Sequence, residues 1–261
     1  MKNLNWKFRS LKIRKMSKKR IGIDVNEVLR AQWLQFDRFY AQEFGEEGIP
    51  EGDHYVWDFF KNYKFEDVVE KTKELRDPED MPDINPLDYQ TDKTGEAPAD
   101  IFLFKKEEEN KLTARQVYNR FMYEDYLFEI NGSATPMYRG MDLHVNEFLE
   151  KYQNNAEFVV MSVENKFSIP PTLFFLSKIT SRFRNYRFVD KNLEMWDDID
   201  VLITSDPQLL TLGAPWGKKL IKVLRPYNKD IHTKFLEILQ INDLNGNEKF
   251  EKLIKYKNKK Q

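Results

Sequence analysis

Cysteine is absent from the 261 residues, which excludes disulfides, thiolate metal sites and cysteine nucleophiles. Histidine is scarce: His54, His144 and His232 lie far apart with no ligand spacing, and each is expected in an ordinary structural or surface role. No stretch approaches the roughly 18 apolar residues of a membrane span, and the N-terminus lacks the apolar core of a secretory signal. A soluble, cytoplasmic protein with no membrane partner is expected. Net charge is missing too, because 42 Lys and Arg against 43 Asp and Glu leave −1, no overall pull toward nucleic acid. Neither a Walker lysine loop nor a G-x-G-x-x-G follows any strand-like run, so nucleotide kinases and dinucleotide oxidoreductases are unsupported. "TLGAPWGKK" (211–219), with two glycines near a strand start, reads as a connecting turn.

What is present is charge in blocks. The first twenty residues carry nine Lys or Arg and no acid, and the end, "EKFEKLIKYKNKKQ", is again Lys-rich. Between Glu43 and Asp80 acids outnumber bases more than twofold. The ordinary reading of such runs is solvated segments; the alternative is an anionic partner or a neighbouring copy with complementary patches.

Five strand-like runs stand between helical patterns: "RIGIDV" (20–25), "EFVVMSV" (157–163), "RFVDK" (187–191), "DVLITS" (200–205) and "KLIKVL" (219–224). Most are near-continuous β-branched runs, as expected of a parallel sheet covered on both faces. Leu29, Trp33, Phe36, Tyr40 and Phe44 recur every three or four residues, an apolar helix stripe read as core packing. Gly140 to Tyr152 is a second helix, and Pro170 and Pro171 suit the first turn of a third. Alternating strands and helices predict an α/β, doubly wound, mostly parallel Rossmannoid sheet.

About 130 residues separate the first two strands, far beyond an ordinary crossover. Residues 46–135 are therefore expected to form an inserted, mostly helical cap, with helices in "FEDVVEKTKEL" and "LTARQVYNRFMYEDYLFEI". The long acidic, Pro-rich loop between them has the composition of a functional arm or a disordered segment. The expected organisation is a basic arm (1–19), a core (20–45 and 136–230), the cap, and a helical Lys-rich tail (231–261).

In an open α/β sheet ligands bind beyond the carboxyl ends of the strands. Those ends offer Asp24 with Asn26, Ser162, Lys191, and Thr204, Ser205 and Asp206. The set suits phosphoryl transfer, with Asp24 attacking phosphorus, Ser162 donating to a phosphate oxygen and Lys191 neutralising charge. Asp206 would help hold Mg²⁺, which takes oxygen ligands.

This arrangement resembles the haloacid dehalogenase (HAD) superfamily, and within it the 5'(3')-deoxyribonucleotidases. The D-x-D-G-V-L motif is matched by Asp24-Val25-Asn26-Glu27-Val28-Leu29, and the second motif by Met161-Ser162-Val163. Asp190-Lys191-Asn192 matches the third motif and "DVLITSDP" the fourth, in order over roughly residues 20–230. The resemblance implies a HAD-like core with Asp24, Asn26 and Lys191 in the catalytic positions, Ser162 and Lys191 on the phosphate, and Asp24, Asn26 and Asp206 at the metal.

The departures point away from turnover. In the family the second acid of the first motif moves the proton, a contribution of typically 10²- to 10⁴-fold; here it is Asn26, which keeps only the backbone carbonyl. Glu27 replaces the family glycine, and Thr204 and Ser205 stand where the fourth motif has acids. The expectation is an inactive, deoxyribonucleotidase-like domain serving as a structural subunit. Its expected partners are other protein subunits, in a homo-oligomer or a multi-protein assembly of which a virion is one setting. The alternative is a Mg²⁺-dependent nucleotidase with an aspartyl-phosphate intermediate; Mg²⁺ and a nucleotide are expected only with an active site.

Overall fold

Ile21 and Ile23 point to one face of the first strand and Gly22 to the other, and that alternation organises the layers. The computed structural model describes residues 18–45, 58–75 and 104–255; most of the basic arm, the loop at 76–100 and the last six residues lie outside them. Two compact units result, one from residues 1–57 with 128–261 and the other from residues 58–127.

In the larger unit the chain runs β1 (Lys19–Asp24), α1 (Gln32–Phe44), α2 (Met141–Tyr152), β2 (Ala156–Val163), α3 (Ile169–Ile179) and β3 (Asn185–Val189). It continues through β4 (Val201–Thr204), α4 (Pro207–Leu212), β5 (Lys219–Val223), β6 (Leu236–Ile238) and α5 (Glu248–Ile254). The six strands are ordered β3-β2-β1-β4-β5-β6 and every pairing is parallel. The expected α/β class is met by a parallel sheet with helices.

Both faces are covered. Ile21, Ile23, Val160, Ile203 and Ile221 join one core with Phe148 of α2, Phe175 of α3 and Phe250 of α5. Val159, Met161, Leu202 and Leu220, the alternate residues, join another with Met195, Trp196 and Leu209. The strands are therefore apolar on both sides, which is why they read as continuous runs. Gly22 lies where β1 meets the second core: a Cβ there would sit 2.8 Å from Met161 Sδ and 3.0 Å from Leu202 Cδ1.

Pro170 and Pro171 occupy the first turn of α3, as predicted. The strand β6 was not expected. The tail forms a helix in α5, but it also adds this sixth strand to the sheet beside β5.

The smaller unit differs from the mostly helical expectation. "FEDVVEKTKEL" does not form a helix: Val68–Leu75 is a strand, paired antiparallel with Phe104–Leu112. Phe65, Val68 and Val69 fit a helical spacing, but long-range pairing overrides so short a local pattern. The second predicted helix is realised as Ala114–Arg120, opened by a capping box between Thr113 and Gln116, followed by a π-turn at Phe121–Asp125. Phe60, Phe65, Tyr118 and Phe121 pack ring on ring to form this unit's centre.

Candidate functional site

After β1 the chain goes out on one side through β2 and β3, then returns to β4 on the other side. The carboxyl end of β1 is therefore the switch point of the sheet, where a crevice is built into the topology. Asp24 ends β1 in register with Met161, Ser162 follows on β2, and Thr204 ends β4.

Asp24 is 5% exposed. Its Oδ2 accepts a 2.6 Å hydrogen bond from Thr204 Oγ1. Burial raises its pKa from 3.8 to about 7 and the nearby Asp206 adds to that, while Thr204 and the backbone N–H groups of Val25 and Asn26 pull the other way.

Asn26 is held by its neighbours on every side. Its Oδ1 accepts from Arg30 Nε at 3.1 Å and Nη2 at 2.5 Å, and its Nδ2 donates to Ser162 Oγ at 3.3 Å. Arg30 is fully buried. Its Nη2 also donates to Glu164 Oε1 at 2.7 Å, and its Nη1 donates to Thr172 Oγ1 at 2.6 Å and to the Asn131 carbonyl at 3.1 Å. Glu164 Oε1 collects two further donors, Ser162 Oγ at 3.0 Å and Thr172 Oγ1 at 3.1 Å. The guanidinium thus meets an internal carboxylate, and the serine hydroxyl predicted to reach a phosphate donates to that same oxygen. Burying a charge pair is compensated when further hydrogen bonds meet its donors and acceptors, and here each guanidinium nitrogen has an internal acceptor while Glu164 Oε1 collects three donors.

Glu27 takes a turn in the left-handed region. Its φ is 56°, a left-handed conformation that L side chains adopt at a cost. The carboxylate compensates locally: Oε1 accepts from the Trp33 N–H at 2.9 Å, at the start of α1, where Ala31 supplies no side-chain cap. Its carbonyl accepts from Arg225 Nε at 2.8 Å. Next to it, Ser205 Oγ donates to the Asn26 carbonyl at 3.3 Å and accepts from Tyr227 Oη at 3.0 Å. Tyr227 is driven well above the usual phenol range by burial and by the Glu27 charge, so it acts as a donor.

Asp206 caps α4. Its Oδ1 accepts from the N–H groups of Gln208 at 2.7 Å and Leu209 at 3.3 Å, and its Oδ2 accepts from Asn192 Nδ2 at 3.1 Å. Burial raises its pKa. Lys191 is exposed, just past β3, and makes no side-chain hydrogen bond or ion pair among the described residues. Of the predicted set, Asn26 and Ser162 bond to each other, Thr204 Oγ1 links Asp24 to Asp206 by donating to the Asp24 carboxylate and accepting from the Asp206 N–H, and no hydrogen bond or ion pair among the described residues ties Lys191 to either pair.

The oxygens that resemblance assigns to Mg²⁺ fit that ion poorly here. The Asn26 carbonyl already receives Ser205, Asp24 Oδ2 receives Thr204, and Asp206 receives two helix N–H groups on Oδ1 and Asn192 on Oδ2. Mg²⁺ dehydrates reluctantly and needs formal negative charge in return.

Arg30, Glu164, Thr172 and Tyr227 were not among the predicted site residues. One signal was available: Arg30 is the lone charge in "VLRAQW", an arginine inside an apolar run. Neither a protein-family model nor a curated protein matches the sequence.

Proposed function

We propose that this chain is a HAD-like, deoxyribonucleotidase-like domain that does not turn over phosphomonoesters and serves as a structural subunit of a larger protein assembly, a virion being one setting. The observation that carries the reading is the closed network at the strand ends. Arg30 is neutralised by Glu164, Ser162 donates to Glu164, and the Asn26 carbonyl receives Ser205. A phosphate arriving there would have to break an internal ion pair and would gain no free donor from these groups. The asymmetric charge of the arm, the acidic loop and the tail supports the assembly role, since such segments suit complementary neighbours.

Sedimentation of the full chain across concentration and salt tests the assembly half. Self-association that weakens as salt screens the charges is the expected result. A 31.4 kDa monomer under every condition overturns it.

A second reading is favoured by one observation: Asp24 and Ser162 stand at the ends of adjacent strands at the switch point. In that reading the chain is a Mg²⁺-dependent 5'-nucleotidase with Asp24 as nucleophile. Asp24-dependent turnover is the result that separates the two.

A further inference from the structure

Away from Asp24, at the amino ends of β5 and β6, the larger unit holds a cleft of about 410 Å³. Its wall includes the "TLGAPWGKK" turn, which does connect α4 to β5, with Gly213 and Gly217 at positive φ. Around the cleft stand Lys218, Lys219, Lys234, His232 and Phe235, and no acidic residue lines it. Among the described residues none of the three lysines forms an ion pair, in a chain whose charges otherwise cancel.

Two of these lysines are positioned. Lys218 Nζ donates to the Trp196 carbonyl, and Lys219 Nζ lies 5.8 Å from the centre of the Phe235 ring, a cation–π arrangement. The acid nearest in sequence does not neutralise them. Glu237 Oε1 accepts from the Thr233 N–H at 3.0 Å, and its Oε2 faces the buried Lys222 at 3.8 Å. A concave wall lined by three lysines and no acid, with Lys219 and Lys234 exposed, focuses positive potential and favours an anion of matching charge.

We propose that this cleft binds a small ligand carrying linked phosphates, either a nucleoside triphosphate or a free polyphosphate. The ammonium groups take the phosphates, and the Phe235 ring offers a face to a base if one is present. The site is separate from the strand ends around Asp24, so it does not depend on whether that centre turns over substrate.

Calorimetric titration of the full chain with ATP, tripolyphosphate and inorganic phosphate at low salt tests this. ATP and tripolyphosphate are expected to bind with Kd on the order of 10 μM, and inorganic phosphate at least about tenfold more weakly. Lys219 and Lys234 are exposed, so the double variant Lys219→Glu/Lys234→Glu is expected to fold and to lose at least about tenfold in affinity. Lys249→Glu, the same change on the exposed face of α5, should leave binding intact, as should Asp24→Asn. Phe235→Leu separates the two sources: it weakens ATP more than tripolyphosphate if a nucleotide is the ligand, and both equally, through Lys219, if the ligand is free polyphosphate. The proposal is overturned by absence of binding, by equal loss in the Lys249→Glu control, by loss in Asp24→Asn, or by an oligonucleotide that binds more tightly than either small ligand through the same lysines.

Discussion

Removing the Arg30 guanidinium should unfold the logic of the strand-end network, and Arg30→Met is the cleanest way to do it. Methionine keeps an unbranched apolar stem beside Phe175, whose ring centre lies 5.9 Å from Arg30 Cζ. What disappears is the charge facing Glu164 at 2.7 Å and the donors to Asn26, Thr172 and the Asn131 carbonyl. Glu164 keeps two hydroxyl donors but becomes an uncompensated buried anion, its side chain only 4% exposed. Breaking such a pair from one side costs about 3–5 kcal/mol. Glu164→Gln strands the arginine instead and should cost about 2–4 kcal/mol, since its amide oxygen still accepts. The double variant Arg30→Met/Glu164→Gln leaves no charge at this pair, so its cost should fall short of the sum of the singles by at least about 2 kcal/mol. Urea unfolding followed by tryptophan fluorescence, with Trp33 and Trp196 buried in the larger unit, reads all four corners of the cycle. Additive costs, or an Arg30→Met penalty below about 1 kcal/mol, would refute the claim that the pair is buried and mutually dependent.

Three further predictions follow from the same geometry. Asp24, raised from 3.8 to about 7, holds its proton more tightly folded than unfolded, so stability is fullest below the unfolded value and falls as pH rises to about 7. Asp24→Asn removes that slope and should stabilise the protein at pH 8 by up to about 4 kcal/mol, with the advantage gone by about pH 4, read from denaturation midpoints across pH. Gly22→Ala, pressed against Met161 and Leu202, should cost about 1–3 kcal/mol in the same unfolding assay; a neutral change would mean the two residues give way easily. Asn26→Asp should strengthen the bonds from Arg30 and still give no phosphatase activity, because the Asn26 carbonyl and Asp206 stay engaged; restored turnover would mean that one carboxylate was all the site lacked.

The sheet was legible because its strands are apolar on both faces, and the five β-branched runs all became strands. Leu236–Ile238 escaped because three residues carry no periodicity and the middle one is Glu237. The ribbon of Val68–Leu75 and Phe104–Leu112 escaped for a different reason: its partners are far apart in the chain, beyond the reach of a local pattern. At the site, the positions of Asp24, Asn26 and Ser162 were readable from the strand ends. Their hydrogen bonds were not, since Arg30, Glu164 and Thr172 come from a turn, a strand end and a helix that meet only in the fold. Glu27 has a φ of 56°, a left-handed conformation that nothing in its residue type signals, since glycine is the residue that adopts it freely.

We propose that the strand-end network stands in place of a phosphoryl-transfer site. The most direct measurement is hydrolysis of deoxynucleoside monophosphates by the full chain with saturating Mg²⁺, compared with Asp24→Asn. No turnover above background and no difference between the two proteins are expected; turnover by the wild type that Asp24→Asn abolishes would mean that Asp24 still serves as a nucleophile.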